Sequence, residues 1–191
     1  MPSQIILASR SPRRVELLRQ IGIEAEIMPA DIDESVLAAE SPPEYVLRMA
    51  REKAKAVEPA GAEDTLIIAA DTAVVVGGRI YGKPASEADA AAMLRSLSGR
   101  THHVLSAVAL RQGNRLSSRL SDSAVTFRPL SDAEIQRYWQ SGEPVDKAGG
   151  YAIQGLGAVF IASIEGSYSG IMGLPLQETA ALLAECGFRV L

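Results

Sequence analysis

The segment Thr65-Leu66-Ile67-Ile68-Ala69-Ala70-Asp71-Thr72-Ala73-Val74-Val75-Val76-Gly77-Gly78-Arg79-Ile80-Tyr81-Gly82-Lys83-Pro84 decides the fold class. Thr65–Ala70 has the composition of a buried strand, and Thr72–Val76 carries the apolar character on to a Gly-Gly pair. Two glycines between apolar runs read as a hairpin turn, with the chain returning through Arg79-Ile80-Tyr81 to Gly82-Lys83-Pro84. A strand that leads into a hairpin is not one of a purely parallel sheet. Asp71 interrupts the run and is placed at the end of the strand Leu66–Ala70. Ligands of open α/β sheets bind at such carboxyl ends.

Working outward, Gln4–Ala8 is a short strand before Ser9-Arg10-Ser11-Pro12. A helix starts there, with Ser11 as N-cap and Pro12 at its first position, and ends at Gly22. A strand near Glu24–Met28, an acidic loop with Asp31, Asp33 and Glu34, and a helix over about 42–57 follow. Beyond the hairpin come a helix over Glu87–Leu97 and a strand pair, Thr101–Arg111 with Arg115–Phe127, around Gly113-Asn114. The chain continues with a helix over Asp132–Gln140, a glycine-rich stretch from Gly149 to Gly157, a strand near Val159–Ile164 and a last helix over about 176–186. The expectation is an α/β fold with a mixed central sheet flanked by helices.

The chain has 191 residues, 47% hydrophobic and 22% charged, the profile of one soluble globular domain over residues 1–191. Its single cysteine, Cys186, excludes a disulfide framework within the chain and a multi-cysteine zinc site. His102 and His103 are adjacent, so in a strand they face opposite sides and do not chelate one metal. A net charge of −4 argues against bulk nucleic-acid binding. Met1 to Gln4 has no basic leader, Ile5–Ala8 is too short for a signal peptide, and Asp71 breaks the longest apolar run. The expected setting is cytoplasmic, with no membrane partner.

Three places conflict with local rules, and such conflicts tend to mark function. The first turn of a helix favours anions, yet this one carries Arg13 and Arg14, with Arg10 just before it. Three guanidiniums with Ser9, Ser11 and free N–H groups make a phosphate cradle; a solvated basic patch is the plainer alternative. Lys53 falls near the middle of the apolar face formed by residues 46, 49, 50, 54 and 57, so it either meets an anion in a cleft or snorkels out. Asp71 binds a metal, activates water, or merely forms a turn. Lys83 returns from the hairpin towards it. Oxygen donors without histidine or cysteine suit Mg²⁺ or Mn²⁺, held by one or two carboxylates and substrate phosphates. No Walker loop, Gly-x-Gly-x-x-Gly or Gly-x-Ser-x-Gly signature is present. The set points to a polyphosphate substrate.

The ordered motifs Leu7-Ala8-Ser9-Arg10-Ser11-Pro12-Arg13-Arg14, Ala50-Arg51-Glu52-Lys53-Ala54, Ala70-Asp71-Thr72, Lys83-Pro84, Leu97-Ser98-Gly99, Ser141-Gly142-Glu143-Pro144, Asp146-Lys147-Ala148-Gly149, Gly166-Ser167-Tyr168 and Gly173-Leu174-Pro175-Leu176 resemble those of the Maf family of nucleoside triphosphate pyrophosphatases. The resemblance covers nearly the whole chain. It implies an ITPase-like fold with a cleft between two lobes, and cleavage of a nucleoside triphosphate to the monophosphate and pyrophosphate. It also implies that Asp71 is the proton acceptor and that Ser9, Arg14, Glu34, Lys53 and Lys83 line the cleft, with Glu34 and Asp71 at the metal.

Arg13, Thr72 and Gln154 resemble the branch acting on dTTP and UTP, where a branch acting on 7-methyl-GTP has tryptophan, glutamine and glutamate. Gly170-Ile171-Met172 departs from a common Asn-Val-Val run, which bears on local loop geometry. A homodimer is compatible with the resemblance. Two rival expectations stand beside it: a modified-purine pyrophosphatase, and a nucleotide-binding regulator of septum formation.

Overall fold

The computed structural model describes residues 4–59 and 64–191; the N-terminal reading over Met1–Ser3 lies outside them. One seven-stranded sheet runs through the chain in the order β2-β1-β3-β5-β6-β7, with β4 attached to β3. β1 (Gln4–Leu7) lies parallel to β2 (Glu26–Ile27) and to β3 (Thr65–Val76). β4 (Arg79–Tyr81), β5 (Thr101–Gln112), β6 (Arg115–Phe127) and β7 (Ile161–Glu165) pair antiparallel to their neighbours. The sheet is therefore mixed, as the Gly77-Gly78 hairpin requires.

β3 is apolar at nearly every position because both of its faces are covered. Ile67, Ala69, Ala73 and Val75 pack under α2 (Pro42–Ala56), against Val46, Ala50 and Ala54. Leu66, Ile68 and Ala70 face the other way, towards Leu17 and Leu18 of α1 (Pro12–Gln20) and Leu182 and Leu183 near the C-terminus. A third cluster covers the far end of the sheet. It joins Val74 and Phe127 to Leu94 and Leu97 of α3 (Glu87–Leu97) and Ile135 and Tyr138 of α4 (Asp132–Gln140). A short α5 (Tyr168–Met172), which the sequence pattern did not reveal, precedes α6 (Leu176–Glu185). Burial of Leu66, Ile67 and Ile68 stabilises the fold by roughly 1.5–3 kcal/mol each.

One sequence expectation is corrected. Asp71 does not end a strand: β3 runs unbroken through it, and Asp71 pairs with Ala107 of β5. The strand continues because β5 supplies a complete ladder from Leu66 to Val75. The opening lies on the other edge. β1 pairs with β3 only as far as Ile68, and β4 begins only at Val74. Among the described residues, 69–73 therefore have no strand on that side, and Asp71 is at the centre of the gap. The strand end that matters is that of β1, which stops at Leu7 just before Ser9.

Candidate active site

α2 is built to carry a lysine inwards. Its N-terminus is closed by Glu44, whose carboxylate accepts from the Ser41 N–H at 2.9 Å and the Ser41 hydroxyl at 2.6 Å. Arg48 and Arg51 lie outside the buried stripe of Val46, Met49, Ala50, Lys53 and Ala54. Lys53 is only 8% exposed, so it does not snorkel, and it must meet an anion. It meets two. Its Nζ lies 2.7 Å from Asp71 Oδ1 and 2.6 Å from Glu34 Oε1.

Glu34 reaches this point because α2 also holds its loop. Tyr45 donates to the Glu34 carbonyl at 3.0 Å, and Arg48 donates to the Ser35 carbonyl at 2.9 Å while pairing with Glu40. Asp33, by contrast, turns away to accept from the Ser35 N–H at 2.9 Å, and Asp31 is exposed. One of the three loop carboxylates reaches the cluster.

The opposite wall comes from α1. Its first turn contains no acidic residue. Ser11 makes no side-chain cap; its N–H instead donates to Ser9 Oγ at 3.2 Å, drawing Ser9 towards the helix start. Arg14 turns inward and is held at three points. It donates to the Gly173 carbonyl at 2.8 Å, to Ser9 Oγ at 3.1 Å and to Thr72 Oγ1 at a long 3.5 Å. Arg10 is exposed and makes no side-chain hydrogen bond or ion pair among the described residues. Arg13 is half-buried, in the fields of Asp146 and Glu16.

The remaining candidates are Thr72, Lys83 and Gln154. Thr72 shares a hydrogen bond of 2.8 Å with Ser106, which donates to the Gly170 carbonyl at 2.6 Å. Sequence reasoning missed Ser106, Gly170 and the Gly173 carbonyl as parts of this network; Gly173-Leu174-Pro175 stood out only as a motif. Lys83 is exposed and makes no ion pair among the described residues, but its charge acts on Glu34 and on Lys147. Gln154 is exposed in the turn before Gly155 and makes no side-chain hydrogen bond to the described residues.

The electrostatics separate the two carboxylates. Burial pushes the Asp71 carboxyl up, and the charges of Lys53 and Arg14 only partly reverse this. Burial also pushes Glu34 up, but less, and Lys53, Lys83 and Arg14 bring it below the ordinary carboxylate range. A carboxylate raised towards neutrality beside one that stays ionised is the pattern that separates a proton acceptor from a charge holder.

The metal that the family resemblance implies can be tested against this donor set. Glu34 and Asp71 converge on one atom, offer only oxygen, and are not joined by a third acidic, histidine or cysteine side chain among the described residues. This is too few for an all-protein cage. It fits a hard divalent ion whose shell is completed by water and substrate phosphates. A separate hollow of about 290 Å³ by α4, lined by Tyr138, Leu156, Val159 and Phe160 among others, has no such pair and is not the candidate centre.

Comparison with known proteins places the chain in a family. A protein of Chromobacterium violaceum called dTTP/UTP pyrophosphatase is 52% identical over 192 residues, covering 98% of this chain and 97% of its own length. One of Neisseria meningitidis with the same name is 50% identical over 191 residues, covering 97% and 95%. Among solved structures, the Staphylococcus aureus Ham1 protein aligns with a TM-score of 0.46 and 16% identity over 68% of this chain and 73% of its own, too distant to decide fold or function. Residues 4–186 match the family described as Maf-like protein. The chain belongs to the Maf family.

Proposed function

We propose that this protein hydrolyses dTTP and UTP to the nucleoside monophosphate and pyrophosphate. One observation carries the reading: a buried carboxylate and lysine, Asp71 and Lys53, face the open edge of β3, with a fixed arginine, Arg14, across it. The pyrimidine preference is supported by relatives of about 50% identity that bear that name.

Asp71 Oδ accepts the proton of a water whose oxygen attacks the α-phosphorus; the bond from that phosphorus to the α,β-bridging oxygen breaks, and pyrophosphate leaves with the electron pair. Its raised pKa suits a group that must take up a proton. Arg14, already locked by Gly173 and Ser9, binds phosphate oxygens without ordering first, and the Ser9 hydroxyl adds a donor. Lys53 and Lys83 offset the charge that grows on the leaving group. Glu34 and Asp71 would hold a divalent cation, Mg²⁺ or Mn²⁺, which when bound adds charge neutralisation at the phosphates. At the base, the Gln154 amide offers a donor and an acceptor, which matches a uracil or thymine edge, and Thr72 and Arg13 are assigned to base choice with it.

The reading extends to a cytoplasmic setting, where triphosphates are pooled, and to a homodimer. No described helix is long and apolar enough to cross a membrane. The test is incubation with dTTP, UTP, CTP, GTP and 7-methyl-GTP, with Mg²⁺ or Mn²⁺, and chromatography of the products. Monophosphate and pyrophosphate from dTTP and UTP support the reading. Turnover of 7-methyl-GTP alone refutes the base assignment, and binding without turnover makes the protein a nucleotide-dependent regulator.

A further inference from the structure

Glu143 is not in the cleft, yet it is among the most heavily bonded carboxylates of the chain. It accepts from the Tyr138 hydroxyl at 2.7 Å, from the Leu156 N–H at 2.8 Å and from the Gly157 N–H at 2.9 Å. Tyr138 in turn accepts from the Ala152 N–H at 3.1 Å. The two side chains thus grip both ends of the turn that carries Gln154. The grip is close: a Cβ at Gly155 would fall on the Glu143 carboxylate, and one at Gly157 would stand 2.7 Å from the Tyr138 hydroxyl. Burial pushes the Glu143 carboxyl up, but its hydrogen bonds outweigh this and keep it below the ordinary range, so it stays an acceptor at neutral pH.

The Gln154 side chain makes no hydrogen bond to the described residues, so its position depends on this turn.

We infer that Glu143, with Tyr138, is a positioning residue for base recognition, holding the turn that carries Gln154 in register with the pyrimidine. The inference rests on the proposed dTTP/UTP hydrolysis. Neither side chain touches the reacting phosphates, so their loss acts on selectivity and KM, not on the chemical step.

The experiment compares wild type with Glu143→Gln and Tyr138→Phe, both near-isosteric. Hydrolysis of UTP and GTP is measured alongside amide hydrogen exchange. The expected result is an approximately tenfold rise in KM for UTP, kcat within about twofold, and an approximately tenfold fall in the UTP-to-GTP ratio of kcat/KM. Exchange at Leu156 and Gly157 should speed up in Glu143→Gln, and at Ala152 in Tyr138→Phe. A selective wild type whose variants keep the UTP-to-GTP ratio, or lose kcat equally on both substrates, overturns the inference alone. A wild type that does not prefer UTP overturns the substrate reading; exchange at the three amides then still reports whether the clamp exists.

Discussion

Replacing Lys53 by methionine keeps the stem and removes the charge, and it should make the protein's stability strongly pH-dependent. Lys53 and Asp71 are each 8% exposed, and their bond is 2.7 Å long. Removing one partner of a buried pair costs about 3–5 kcal/mol. Arg14 remains near Asp71 as a second cation, so the lower end, about 3 kcal/mol, is expected. Glu34 adds little, because its side chain is 57% exposed and can turn to water.

Burial has already raised Asp71, and Lys53 is the main opposing influence. Without it the folded-state pKa climbs further. Between the unfolded and the raised folded value the native state holds the extra proton, so stability falls as pH rises through that window and returns below it. The deficit against wild type should therefore be near 3 kcal/mol at about pH 8 and shrink as Asp71 protonates towards about pH 4. In a chain this long, 3 kcal/mol lowers Tm by roughly 6–12 °C.

Urea unfolding followed by the single tryptophan, Trp139, measures it. The double variant Lys53→Met/Asp71→Asn should regain about 2 kcal/mol, because a neutral pair does not suffer the loss of the counter-charge. A Lys53→Met variant within about 0.5 kcal/mol of wild type at pH 8, or equally unstable at both ends of the range, would refute the reasoning.

Two other perturbations probe the frame around the site. Gly149 has φ +68°, and a Cβ there would lie 2.9 Å from Val74, so Gly149→Ala should lose about 2–3 kcal/mol in denaturant melts. Val74→Ala in the same chain should restore only part, because the backbone strain remains. His102 is buried against Phe127 and Tyr151, and burial lowers its pKa from 6.5 to about 4. A depressed histidine contributes stability above its unfolded pKa and loses it as pH falls. Up to about 3 kcal/mol should therefore disappear between pH 6.5 and 4, and an NMR titration of the imidazole should show no protonation above about pH 5.

How far the site was legible in the sequence depends on the kind of signal each residue left. Lys53 could be read because a charge inside a 3.6-residue apolar stripe contradicts the helix that carries it. Arg14 could be read because it opposes the helix dipole, but Arg13 bears the same signature, and the bond that fixes Arg14 is to the Gly173 carbonyl, 159 residues away. Asp71 was recognised for its chemistry and misplaced in the fold. A lone carboxylate in an apolar run looks like a strand end, and only the pairings of β1 and β4 show that the gap lies beside β3, not beyond it. Ser106 left no signal, since a serine in a strand is ordinary until its partner across the ladder is known. Glu143 was visible as part of Ser141-Gly142-Glu143-Pro144, but its bonds to Leu156 and Gly157 belong to tertiary structure alone.

In the proposed mechanism Asp71 deprotonates the water that attacks the α-phosphorus. Hydrolysis of UTP in ¹⁸O-labelled water by wild type and Asp71→Asn tests it directly. Label is expected in UMP and not in pyrophosphate, with kcat reduced by about 10²–10⁴ in the variant at similar KM. Label in pyrophosphate or free phosphate, or an Asp71→Asn enzyme with wild-type turnover, would contradict it.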